Sequence, residues 1–120
     1  MIFAQATRED YETFAGKAPE FSFKGFVAKD DSGVHGVAGV YRENGHLVGF
    51  SGIGEKVRKD KKMIAKAARM FRKMCDALGE PVYAVQNANE PTAQGFLKHL
   101  GFEPTGYIGP AGEVMRRDAL

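Results

Sequence analysis

The sequence predicts a mixed α/β domain in which a mostly antiparallel, twisted sheet is flanked by helices. Three observations carry that reading. Three strand candidates follow one another with only short turns between them, which makes them antiparallel neighbours. A long amphipathic helix and a short apolar strand come next, a crossover that places a parallel pair inside the sheet. The chain then closes with a second helix and a hairpin.

Each element has a local cause. Ile2–Gln5 is a short strand. Thr7 starts a helix as its N-cap, with Glu9 and Asp10 in the first turn. Phe14 and Ala15 are expected to face the core, and Gly16 with Pro19 ends the helix. Residues 21–30 alternate through Phe21 and Phe23 to Phe26, before the turn Asp30-Asp31-Ser32-Gly33. Residues 34–42 and 47–55 flank a second turn, Glu43-Asn44-Gly45. Met63, Ile64, Ala67, Ala68, Phe71, Met74, Cys75 and Leu78 then recur at helical spacing, and Gly79 and Pro81 stop that helix. Residues 82–86 read as a buried strand and residues 91–100 as a second amphipathic helix. Residues 102–108 and 114–117 form the closing hairpin around Gly109-Pro110-Ala111-Gly112.

The chain has 120 residues, 43% hydrophobic and 27% charged, with no repeat and no dividing linker. One domain over residues 1–120 is expected. No apolar run approaches the ~20 residues that a membrane helix needs. The start, MIFAQATRED, shows no secretory signal, and Cys75 has no partner for a disulfide, so a cytoplasmic setting is expected. His35, His46 and His99 are scattered without metal-ligand spacing. Cys75 lies on the apolar helix face, as a buried thiol would.

Charge is uneven. Residues 56–73 hold nine of the 17 Lys and Arg residues, with Asp60 as the only acid, a net of +8. The segments on either side each carry a net of −3. A helix start prefers acids, so Lys61 and Lys62 beside Arg58 and Lys59 are unfavourable there unless a polyanion binds. Lys66, Arg69, Arg72 and Lys73 suit a solvated helix face. Nucleic acid is another polyanion such a cluster could meet, although no aromatic residue interleaves with the exposed bases.

Two stretches resemble the GNAT N-acetyltransferase superfamily. One runs from Asn87-Ala88-Asn89-Glu90-Pro91 to Phe96-Leu97-Lys98-His99-Leu100-Gly101-Phe102, with Ala93, Phe96, Leu100, Gly101 and Phe102 in register with the late family signature. The other is the strand–loop–helix unit over residues 47–78, which bears acetyl-CoA in the family. The likeness covers residues 46–117 well. Over the first 30 residues it is weak, because one early helix is expected where the family has two. Within the superfamily the sequence is similar to small phage-encoded GNAT-like proteins, which implies a host cytoplasm.

The resemblance implies an acetyl-CoA-dependent N-acetyltransferase acting on a small-molecule or protein amine. It also implies that the strand carrying Phe50, Ser51, Gly52 and Ile53 splays from the strand at 82–86 to admit the pantetheine arm. Arg58, Lys59, Lys61 and Lys62 would hold the phosphates, with Asn87 and Asn89 nearby. The family's phosphate loop has glycines where Lys61 and Met63 stand, and its late-helix tyrosine, a general acid, is replaced by Leu97. Tyr83 and Tyr107 are candidates for that role, and Glu55 is a candidate general base or surface carboxylate. The losses leave open a catalytically inactive, GNAT-fold interaction protein. Monomer and homodimer are both compatible with the sequence.

Overall fold

The structure is a computed structural model that describes residues 1–87 and 97–119. Its elements are β1 (Ile2–Gln5), α1 (Arg8–Ala15), β2 (Phe23–Asp30), β3 (Gly33–Glu43), β4 (His46–Ile53), α2 (Glu55–Arg58), α3 (Lys61–Leu78), β5 (Val82–Asn87), β6 (Glu103–Gly109) and β7 (Gly112–Arg117). The strands form one seven-stranded sheet in the order β1-β2-β3-β4-β5-β7-β6. Among the described residues only β4 and β5 pair in parallel, and the other pairs are antiparallel. The expected fold class is therefore observed. No helix among the described residues is long and apolar enough to cross a membrane.

α3 shows how sequence sets the architecture. Asp60 caps it, its carboxylate accepting from the Lys62 and Met63 amides. Gly79 ends it in the left-handed conformation, φ 66°. Between them one face buries Ala68, Phe71 and Cys75 against the sheet. Leu47, Val82, Phe102 and Met115 complete this core. Each large apolar side chain closed there contributes about 1.5–3 kcal/mol. Burial pushes the Cys75 thiol up to about 11, which keeps it protonated and inert near neutral pH.

The last strands are tied back to α3 by one buried cation. Arg117 donates through Nε to the Leu100 carbonyl at 2.9 Å and through Nη2 to Asp76 at 2.8 Å. β7, not β6, lies beside β5, and β6 is left at the sheet edge.

Three expectations are corrected. Ala15 is exposed and only Phe14 turns inward, because α1 is a short helix lying over one face of the sheet with no fully buried residue. Glu55 does not end a strand. β4 stops at Ile53 and Glu55 opens the short helix α2, which the sequence reading did not foresee. Residue 21 precedes β2, whose register begins at Phe23 opposite Tyr41. The expected helix over residues 91–100 lies mostly outside the described residues, and Leu97–His99, at its end, is helical.

Candidate functional site

The site begins where the two parallel strands part. β4 and β5 pair only at Leu47↔Val82 and Val48↔Tyr83. Beyond them, from Gly49 to Ile53, the β4 edge toward β5 has no strand partner among the described residues. β3 continues to pair on the other side of β4 as far as Ile53, so that stretch is held straight while β5 diverges toward β7. The gap opens a cleft of about 890 Å³. Its described walls include Gly49–Ile53 of β4, Ala84 and Val85 of β5, Ile64, Ala67 and Phe71 of α3, and Leu97.

Adjacent β4 residues point to opposite faces. A Cβ on Gly49 would meet Phe71 at 3.1 Å, so the odd positions Gly49, Ser51 and Ile53 face α3. Phe50 instead meets Tyr11 of α1 with centroids 6.0 Å apart, and a Cβ on Gly52 would lie 2.8 Å from the Phe14 ring. Phe50 and Gly52 therefore face α1. The backbone of Phe50 and Gly52 is turned to β3, and the edge open to a ligand in the gap is that of the alternate residues Gly49, Ser51 and Ile53. Peptide groups on such an edge demand hydrogen-bond partners, and an amide-bearing extended chain supplies them.

The basic segment that follows β4 is built differently from the sequence expectation. Lys61 and Lys62 do stand in the first turn of α3. Yet the Lys62 and Met63 amides already donate to Asp60, at 3.1 and 3.2 Å. The Asp60 carboxylate thus offsets the helix dipole that two lysines would oppose, and no bound anion is needed for that. Arg58 lines the cleft and donates to the Ile53 carbonyl at 3.3 Å. Lys59 pairs with Glu55 at 3.0 Å, both side chains being well exposed. Phosphates reaching this segment would meet guanidinium and ammonium side chains rather than those two helix amides.

Neither a family model nor a curated protein matches the amino-acid sequence. Solved structures do match the fold. A phosphinothricin acetyltransferase from Sinorhizobium meliloti in complex with AcCoA superposes with a TM-score of 0.74 at 17% identity, covering 98% of this chain and 88% of that one. The ribosomal-protein-S18-alanine N-acetyltransferase from Escherichia coli gives 0.69 at 11% identity, over 99% and 94% of the two chains. A spermidine N-acetyltransferase chimera from Vibrio cholerae and hSSAT gives 0.67 at 13% identity, over 100% and 96%. The fold is that of the GNAT acetyltransferases.

On this GNAT fold the remaining candidates fall in three places. Tyr83 is half-buried at the root of the splay, opposite Val48, with its ring edge-on to His46 at 5.3 Å. Tyr107 is 65% exposed on the edge strand β6, outside the described lining of the cleft. Glu55 is exposed and paired to Lys59. Asn87 ends β5, with its side chain outside the described residues, as is all of Asn89. Leu97 lines the cleft. The structure therefore brings the β4 residues and Arg58 together in the lining of the cleft and leaves Glu55, Tyr83 and Tyr107 outside it.

Sequence reasoning missed the clasp that holds α2. Asp30 accepts from the Ser32 amide at 2.9 Å, from the Ser32 hydroxyl at 2.6 Å and from Lys56 at 3.2 Å, and it contacts His35 Nε2 at 2.8 Å. The Gly54 amide adds a bond to the His35 carbonyl at 2.7 Å. The β2–β3 turn is thereby tied to the segment carrying Arg58. The Ser32 hydroxyl first, then His35 and the Ser32 amide, hold the Asp30 carboxyl far below its ordinary 3.8. A lowered carboxylate pKa contributes stability that is complete above the ordinary value and lost as pH falls below it. Asp30→Asn should therefore lower Tm at neutral pH, and thermal melts should show the difference from wild type shrinking as pH falls below 3.8.

Proposed function

We propose that the protein is an acetyl-CoA-dependent N-acetyltransferase. The observation that supports this most is the splay of β4 from β5 after Val48 and Tyr83, with its open β4 edge and a cleft lined by Arg58. The residues present fit acetyl-CoA. A narrow, mostly apolar gap suits a pantetheine arm, and the free β4 edge suits its amides. Arg58, Lys61 and Lys62 suit the phosphates, with contacts made by side chains because Asp60 holds the helix amides.

In this reading the backbone over residues 50–53 orients the thioester carbonyl and its donors favour the charge that develops on the oxygen. The amine nitrogen forms the new C–N bond, the C–S bond breaks, and sulfur leaves with the electron pair. The amine proton passes to solvent or to the departing thiolate. Leu97 transfers no proton. Tyr83 stands outside the described lining of the cleft, with its ring against His46, and is not assigned that proton. Loss of a proton donor costs ~10²–10⁴-fold, so Tyr83→Phe, which removes none from the cleft lining, should keep turnover within about a few-fold of wild type. Glu55 and Tyr107 are not assigned roles. The phage resemblance and a cytoplasmic location rest on sequence alone.

The test is acetyl transfer from acetyl-CoA to amines of three classes, namely peptide N-termini, polyamines and arylalkylamines, read as N-acetyl product by mass spectrometry. Product that depends on both substrates is expected. Absence of product with every class contradicts the assignment.

A further inference from the structure

The cleft also reaches the opposite face of the sheet, where an unusual wall stands. Five aromatic rings gather there from five segments: Tyr11 of α1, Phe21 before β2, Phe23 of β2, Tyr41 of β3 and Phe50 of β4. Phe21 stacks on Tyr41 with centroids 4.0 Å apart and planes 18° apart. Phe50 meets Tyr11, Phe21, Phe23 and Tyr41 with centroids between 5.5 and 6.0 Å. None of the five is buried, and none belongs to the main core under α3.

Large rings left partly in water forgo hydrophobic free energy, about 25 cal/mol per Å² of apolar surface. A closed core would have gained it, and a ligand can still gain it. The wall is continuous with the cleft, because Tyr41, Val48, Phe50 and Gly52 line the cleft as well. The two sides of the splay thus have opposite characters. The α2–α3 side is basic, whereas residues 1–55, which build the aromatic side, carry a net of −3. The described lining of the cleft contains no carboxylate and one cation, Arg58.

From the acyltransferase reading above, on which this inference rests, we infer that the acceptor is a primary amine on a flat aromatic body, held against Phe21, Tyr41 and Phe50. Ring faces and edges attract a planar partner, and ring faces attract an ammonium ion on approach. A polyamine would instead need carboxylates spaced along the wall, and the described lining has none. Burial first, then Glu43 and Tyr11, pushes the Tyr41 phenol above its ordinary 10.0. It therefore remains a hydrogen-bond donor and does not take the amine's proton.

The experiment has two independent arms. In the first, kcat/KM is compared for phenethylamine, spermidine and an alanine-initiated peptide at saturating acetyl-CoA. Phenethylamine should lead by about tenfold, which corresponds to ~1.4 kcal/mol. Tyr41→Leu and Phe21→Leu should each raise its KM several-fold, with the Kd of acetyl-CoA unchanged. In the second arm, saturation-transfer NMR reads phenethylamine binding without turnover, and the signal should weaken in both variants. A preference for spermidine or the peptide overturns the inference, as does phenethylamine binding that ignores both substitutions. Phenethylamine binding without any acetyl-CoA binding would instead overturn the acyltransferase reading and leave the aromatic site standing.

Discussion

Ser51→Trp is expected to raise the Kd of acetyl-CoA by at least about tenfold, equivalent to ~1.4 kcal/mol. Ser51 is an exposed lining residue of β4 and shares the α3 face with Gly49 and Ile53. An indole there projects into the gap that the unpaired β4 edge leaves open. The side chain is outside the packed core, so the fold has room for the substitution and Tm should hold within a few degrees. Surface substitutions away from packed features usually cost no more than about 0.5 kcal/mol. Isothermal calorimetry with the wild type and the variant, alongside thermal melts, separates a blocked cleft from a damaged fold. An unchanged Kd would place the acyl chain elsewhere.

The second large effect concerns charge. Lys61→Glu combined with Lys62→Glu should weaken acetyl-CoA binding by about ten- to a hundredfold at low salt. At an effective dielectric near 20, two unit charges 4 Å apart interact by ~4 kcal/mol, and exposure and salt reduce that to about 1 kcal/mol per contact. Arg69→Glu with Lys73→Glu, further along α3, should have a clearly smaller effect. Asp60→Asn is the informative control. Asparagine caps a helix about as well as aspartate, so the fold should persist. The loss of its negative charge beside the phosphates should tighten binding. Equal losses from both pairs of lysine and arginine substitutions would mean a diffuse field and no phosphate site. Calorimetry at two salt concentrations reads all of these outcomes.

Much of the fold was legible because it rests on local causes. The period of α3 runs from Ile64 through Phe71 to Cys75, and Gly79 stops it. The turns Asp30–Gly33 and Glu43–Gly45 fix the antiparallel run of β2, β3 and β4. α2 escaped notice because Glu55-Lys56-Val57-Arg58 contains one apolar residue, Val57, and a single buried side chain sets no period.

The site was less legible because it is assembled from distant segments. The point at which β4 and β5 part depends on pairing between residues 47–48 and 82–83 and on β7 drawing β5 away. The aromatic wall joins residues 11, 21, 23, 41 and 50, and nothing in their spacing along the chain announces it. One inference from sequence was physically incomplete. The basic first turn of α3 suggests an anion from sequence, yet Asp60, one residue earlier, supplies that charge within the chain. An aspartate before a helical run is an N-cap signal, and here it already satisfies the helix start.

The central claim is that the gap between β4 and β5 holds an acyl-coenzyme A. Titration of acetyl-CoA into the wild-type protein by calorimetry tests it most directly. One site of micromolar affinity is predicted, with a rise in Tm that follows mass action, about 2.7 kcal/mol of stabilisation at a hundred times Kd. No heat of binding and no change in Tm at millimolar acetyl-CoA would contradict it.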